Sequence, residues 1–175
     1  MATYTIRVFG DPVLKQRSRE VEEIDGALAR LVDMMYETMY DASGVGLAAP
    51  QVGVQRRLFT YDVGEGPEVL INPEIVESGG EWVFEEGCLS IPGYAFEVVR
   101  PRVVTVRGLD VEGHEKTFEA EDYLGRVMQH ELDHLDGILM LDRVEADVRK
   151  QALRMMRERE LRGEPPARHN GSPGL

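Results

Sequence analysis

The chain predicts an α+β fold: antiparallel or mixed β-sheets packed around a central helix, with one helix ahead of the sheets and one at the C-terminal end. Three observations predict it. Apolar side chains recur at helical spacing over residues 24–44 and again over 121–137. Between them lie five or six short segments rich in β-branched and aromatic residues, punctuated by Gly and Pro. No helical stretch separates those segments, which argues against alternating βαβ units.

The elements follow in order. In "IDGALARLVDMMYETMYDASG", Leu28, Leu31, Val32, Met35 and Met39 form one apolar stripe, Asp25 is placed to cap the helix, and Gly44 lies just past its end. The Gly/Ala-rich stretch "SGVGLAAPQVG" reads as a loop that lets backbone approach a ligand or another segment closely. "RRLFTYDV", "EVLINPEIVES", "GEWVFEEG" and "YAFEVVRP" read as strands, with Pro92-Gly93 marking a turn. "DVEG" is a hairpin turn joining Val103–Leu109 to Lys116–Ala120. "EDYLGRVMQHELDHLDG" returns to helical spacing through Leu124, Val127, Met128 and Leu135, with Gly137 as its stop. A last helix is expected over 144–161, docked through Val144, Val148, Ala152 and Met155.

With 175 residues, 42% hydrophobic and 30% charged, the chain predicts one globular domain, expected over residues 1–162. "GEPPARHNGSPGL", residues 163–175, is expected to be a disordered tail. A single cysteine excludes an internal disulfide. The N-terminus lacks the pattern of a signal peptide, and no apolar run approaches the roughly 20 residues of a membrane span. The expectation is a cytoplasmic monomer that does not engage membranes. A net charge of −12 argues against a general nucleic-acid binder. Residues 143–168 depart from that balance, with eight Arg and Lys against five Asp and Glu.

The chemistry centres on His130-Glu131-Leu132-Asp133-His134. Residues four apart stack on one helix face, so both imidazoles can reach one ion, with Glu131 close enough to serve a bound water. Solvated surface helices also carry such clusters. Here Met128, Leu132 and Leu135 put part of the helix in the core, where a histidine pair needs a purpose. A catalytic tetrahedral site then lacks one protein ligand. The metzincin extension is absent, because Met140 stands where its third histidine would be. Downstream Glu145 would serve a zincin-like peptidase; His114 sits in the hairpin turn and His169 in the tail. Upstream, Cys88 in "FEEGCLSIPG" is either a small buried hydrophobe or the third ligand. Gln51 carries an amide able to donate to a developing oxyanion.

Taken together, "GVGLAAPQ" (44–51), "EGCLS" (86–90) and "QHELDH" (129–134) resemble the three ordered motifs of the peptide deformylase family. With "VFGDPVLKQ" near the start, the resemblance covers about residues 5–160. It implies that Cys88, His130 and His134 hold one divalent ion, whose bound water is the nucleophile. Glu131 would then be the general base and acid, and the Gln51 amide and Leu89 backbone N–H would steady the oxyanion. The implied reaction removes the formyl group from the N-terminal formylmethionine of new polypeptides and releases formate. Fe²⁺ is the ion expected in the cell; Zn²⁺, Ni²⁺ or Co²⁺ also suit the donor set. Val45, Gly46, Phe84, Tyr123 and Val127 are expected to line the methionine pocket, and the substrate backbone to pair as a β-strand. "GYAFEVVRP" lacks the arginine that some members aim at the substrate backbone, and Arg126 stands on the catalytic helix where many relatives are apolar, with no role assigned to it from the sequence. Gln129 and Asp133 are expected to support the ligands. The resemblance also suggests that the basic C-terminal helix makes a transient contact with the ribosome.

Overall fold

A computed structural model describes residues 2–165 and 174–175. Its framework is an antiparallel five-stranded sheet in the order β1-β2-β3-β6-β7, comprising Gly46–Ala48, Leu58–Tyr61, Glu68–Gly79, Val103–Leu109 and Glu115–Glu121. A separate hairpin pairs β4 (Trp82–Cys88) with β5 (Ile91–Arg100). Three helices complete the fold: α1 (Gly26–Asp41), α2 (Asp122–Leu135) and α3 (Ala146–Leu161). The α+β expectation is met, with α2 as the central helix.

Side-chain alternation on the strands explains the layering. Leu47 on β1, Leu58 on β2, and Val69 and Ile71 on β3 join the α1 stripe of Leu28, Leu31, Val32, Met35 and Met39. Their neighbours Ala48, Phe59 and Leu70 face the opposite way and join Val127, Met128 and Leu135 of α2. Successive strand residues point to opposite faces, so one end of the sheet lies between two helices. That is why Leu58–Tyr61 is buried throughout and does not alternate between buried and exposed residues. Each fully buried Leu or Val there contributes about 1.5–3 kcal/mol.

The helix ends follow the sequence signals. Asp25 accepts the Leu28 N–H at 2.9 Å, capping α1. Gly137 follows α2 at φ +73°, and a Cβ there would stand 2.6 Å from the Lys15 carbonyl carbon, so both conformation and space require glycine. In the β6–β7 turn, Asp110 accepts from the N–H groups of Glu112 and His114.

Several local expectations change. The Gly/Ala-rich stretch is not all loop: Gly46–Ala48 pairs with Phe59–Tyr61 as β1 and continues into a 3-10 turn, Ala49–Val52. Pro92-Gly93 does not make the turn after Cys88. Cys88 pairs with Ile91 across Leu89-Ser90, while Gly87 pairs with Ala95, leaving residues 92–94 as a bulge within β5. The last helix docks through Ala152, Leu153 and Met156, with Val144 just before it, whereas Val148 and Met155 are exposed. Most of the expected tail, residues 166–173, lies outside the described residues. Gly174 and Leu175 at its end are paired and buried. Among the described residues, no helix is long and apolar enough to cross a membrane.

Candidate metal centre

Two elements bring the donors together. α2 presents His130 and His134 on one face, and β4 ends at Cys88 directly opposite. The Cys88 sulfur and one nitrogen from each imidazole all lie within 4.8 Å of one another, and the Cys88 Sγ to His134 Nε2 distance is 3.4 Å. All three residues are buried. Glu145 and His114 are exposed and take no part, so among the described residues the third donor lies upstream of the helix.

The polar groups around this cluster fit a cation. His130 Nδ1 faces Glu86 Oε1 at 2.8 Å, leaving Nε2 for the cluster, where it is buried and makes no hydrogen bond within the protein. Both Glu131 carboxylate oxygens are likewise buried without a protein partner. Burial, and then the nearby charge of Glu86, raise the Glu131 pKa well above the usual carboxylate range. Burial pushes the Cys88 thiol up to about 12, although the backbone N–H groups of Ser90 and Ile91 favour its thiolate. Burial also lowers the His134 pKa well below its usual value, as does the adjacent His130, which keeps His134 neutral and ready to ligate. A buried thiol, two imidazoles and an unpaired carboxylate are costly on their own, and a divalent cation held there would offset that cost.

Gln51 sits against the cluster with its orientation determined. The Ala48 N–H donates to Gln51 Oε1 at 2.8 Å, so the amide nitrogen faces Ser90 Oγ at 3.0 Å and Cys88 Sγ at 3.9 Å. Leu89, in the turn after Cys88, is buried with the α1 cluster. The glycines of the first motif make room: a Cβ on Gly46 would stand 2.4 Å from Glu131 Oε1, and one on Gly44 would stand 2.6 Å from Leu89 Cδ1. Gly46 therefore lies against the Glu131 carboxylate. Of the other expected pocket residues, Val45, Tyr123 and Val127 belong to one apolar cluster, and Phe84 packs on Tyr123 with ring centres 5.8 Å apart.

Glu86 organises the charges behind the ligands. It is fully buried and takes Arg100 through Nε–Oε2 at 2.7 Å and Nη2–Oε1 at 3.0 Å, Arg126 at 2.7 Å, and His130. Burial raises its pKa, but the bonds from His130 and Arg100 outweigh that and hold it below the usual carboxylate range. Arg100 continues to Asp133 at 2.7 Å, and Asp133 meets Arg143 at 2.8 Å. Gln129 donates to the carbonyl oxygens of Pro101 and Gly125. Asp133 and Gln129 thus tie α2 to β5 and to the segments that flank it, and neither bonds to a ligand side chain directly. Arg126 belongs to this buried charge network. It is fully buried, bonded also to the Val98 carbonyl, with its guanidinium 5.4 Å from the Trp82 ring centre.

The roles of Glu86, Arg100 and Arg126 went unread in the sequence, although one signal was present. Trp82, Phe84, Glu86 and Cys88 alternate on the inward face of β4, so Glu86 is a carboxylate on an otherwise apolar stripe.

Comparison with known proteins agrees with this geometry. The family model for polypeptide deformylase matches residues 3–150. The peptide deformylase of Clostridium botulinum is 54% identical over 143 residues, covering 82% of this chain and 97% of that protein. Among solved structures, peptide deformylase from Thermotoga maritima superimposes with a TM-score of 0.81 at 47% identity, covering 83% of this chain and 99% of that one. The enzyme from Legionella pneumophila gives 0.86 at 41% identity, covering 94% and 100%.

Proposed function

We propose, for a chain that belongs to the polypeptide deformylase family and is therefore a hydrolase of the N-formyl amide of new polypeptides, that catalysis rests on Cys88, His130, His134, Glu131, Gln51 and Leu89. The observation that carries this reading is the buried Cys88–His130–His134 group beside an unpaired Glu131 carboxylate. Cys88, His130 and His134 would hold one divalent cation, Fe²⁺ in the cell, with residues 1–162 as the catalytic unit. Such a cation supplies Lewis acidity, lowering the pKa of water and polarising a carbonyl oxygen.

The chain's own residues do the rest. Glu131 accepts a proton from the attacking water and delivers it to the departing α-amine. Water oxygen bonds to the formyl carbon, the carbon–nitrogen bond breaks, and formate and a free N-terminal methionine leave. Gln51 Nε2 and the Leu89 N–H donate to the formyl oxygen as it gains negative charge. The peptide following the methionine adds as a strand beside β1, and the methionine side chain enters the apolar cluster of Val45, Val127 and Tyr123, flanked by Phe84. The direct test incubates anaerobically purified, metal-assayed protein with a formyl-Met peptide. Formate release is expected, and its absence would sink the assignment.

Gly46 has a specific part in this arrangement. Gly46→Ala should displace the Glu131 carboxylate and lower kcat by about a hundredfold, the usual consequence of a 1 Å misplacement. A kcat equal to wild type would show that the close packing is dispensable.

The basic helix supports a second, weaker association. Arg149, Lys150, Arg154 and Arg157 are exposed while Ala152, Leu153 and Met156 pack inward, leaving a cationic face for the ribosome. The triple reversal R149E/K150E/R154E should reduce co-sedimentation with ribosomes at low salt; undiminished pelleting would refute the contact.

A further inference from the structure

Gly174 and Leu175 lie in the groove between β1 and β4. The Val45 N–H donates to the Gly174 carbonyl at 2.8 Å, and the Leu175 N–H donates to the Gly87 carbonyl at 3.2 Å. Gly174 forms a parallel bridge with Gly44, and its Cα lies 4.0 Å from where a Cβ on Gly87 would stand. Leu175 is 1% exposed and belongs to the apolar cluster of Val127 and Met128, against which Val45 and Tyr123 also pack.

This placement follows from sheet topology. β1 ends the five-stranded sheet and β4 pairs only with β5, so each presents unpaired backbone groups to the space between them. One extended segment satisfies both edges at once, and a buried leucine adds apolar contact that neither edge supplies alone. Glycine at 174 suits the close approach to Gly87.

We infer that Gly174–Leu175 docks on its own chain as an autoinhibitory strand, competing with the peptide substrate for the Val45 N–H and the apolar cluster. This rests on the reading that formyl peptides add beside β1. The Val45 N–H has one proton, so tail and substrate exclude each other there. Docking lowers apparent affinity in proportion to the fraction of molecules left open. The docked contact described consists of two hydrogen bonds and one buried apolar side chain, so the open state stays populated and the effect is graded.

The test compares the full-length holoenzyme with Leu175→Asp, which places a charge in the apolar cluster. KM for a formyl-Met peptide should fall about three- to tenfold with kcat unchanged. A synthetic peptide of residues 163–175 should raise the KM of the L175D protein again without altering kcat. Amide hydrogen exchange at Val45 should be slow in the unsubstituted chain and faster in L175D. An unchanged KM, or unchanged Val45 exchange, overturns the inference. A KM difference that grows with enzyme concentration also overturns it, because the contact would then lie between copies. If neither protein releases formate, the deformylase reading has failed, and Val45 exchange alone decides whether the tail docks.

Discussion

Glu131→Ala should keep its divalent cation and lose turnover by about 10²–10⁴-fold, the usual contribution of a positioned acid–base group. Glu131 is fully buried, its carboxylate oxygens have no protein partner, and Gly46 leaves them only the space beside the cluster. A carboxylate so placed has no structural bond to lose. Burial raises its pKa, which suits a group that must both take and return a proton. Metal content should stay near one ion per chain, because Cys88, His130 and His134 are untouched. Removing an unpaired buried carboxylate also relieves a desolvation cost, so the metal-free variant should melt no lower than the metal-free parent. Glu131→Gln, which keeps the shape without the basicity, should be nearly as inactive. Wild-type kcat in either variant would remove Glu131 from the proposed role.

Glu86→Ala should destabilise the protein by about 3–5 kcal/mol, the cost of stranding buried charge. Among the described residues Glu86 is the only carboxylate bonded to Arg126, which is fully buried, and it holds Arg100 through two bonds. Without it, Arg126 keeps only the carbonyls of Val98 and Trp82. For a chain of this size the loss corresponds to a fall in Tm of about 10–15 °C, read by thermal unfolding. His130 would also lose the acceptor at Nδ1 that aims Nε2 at the cluster, so metal affinity should drop about 10–100-fold. An unchanged Tm would show that water reaches and solvates the two guanidinium groups. Unchanged affinity would show that helix α2 alone orients the imidazole.

Much of this site was legible in the chain. Asp25, Gly137 and the α1 stripe are local signals, and they mark their helices because capping, positive φ and 3.6-residue spacing act within a few residues. The three motifs pointed to Cys88, His130, His134, Glu131 and Gln51 through their resemblance to a family, and the structure brings these residues together. β1 was hidden because Gly46, Leu47 and Ala48 have little intrinsic strand preference; they pair because β2 presents an open edge and α2 needs a close-packed floor. The inward face of α3 was misjudged because its weak apolar pattern allows two faces, and packing against Leu14, Ile91 and Leu139 selects one.

What the sequence determined by itself was the fold class and the broad succession of helix, strands and two further helices, since these are written in spacing and residue type; the donor set was implied by the resemblance of three motifs to a family. The tertiary structure decided how those groups are used. It placed Cys88 within reach of two histidines, gave Glu86 to two arginines and an imidazole, and buried Arg126 against the carbonyls of Val98 and Trp82. It also brought Gly174 and Leu175 to β1 and β4. Each of these depends on contacts between residues 14 to 130 positions apart along the chain, where local propensity carries no information and only the packing of sheet, hairpin and helix sets the distance.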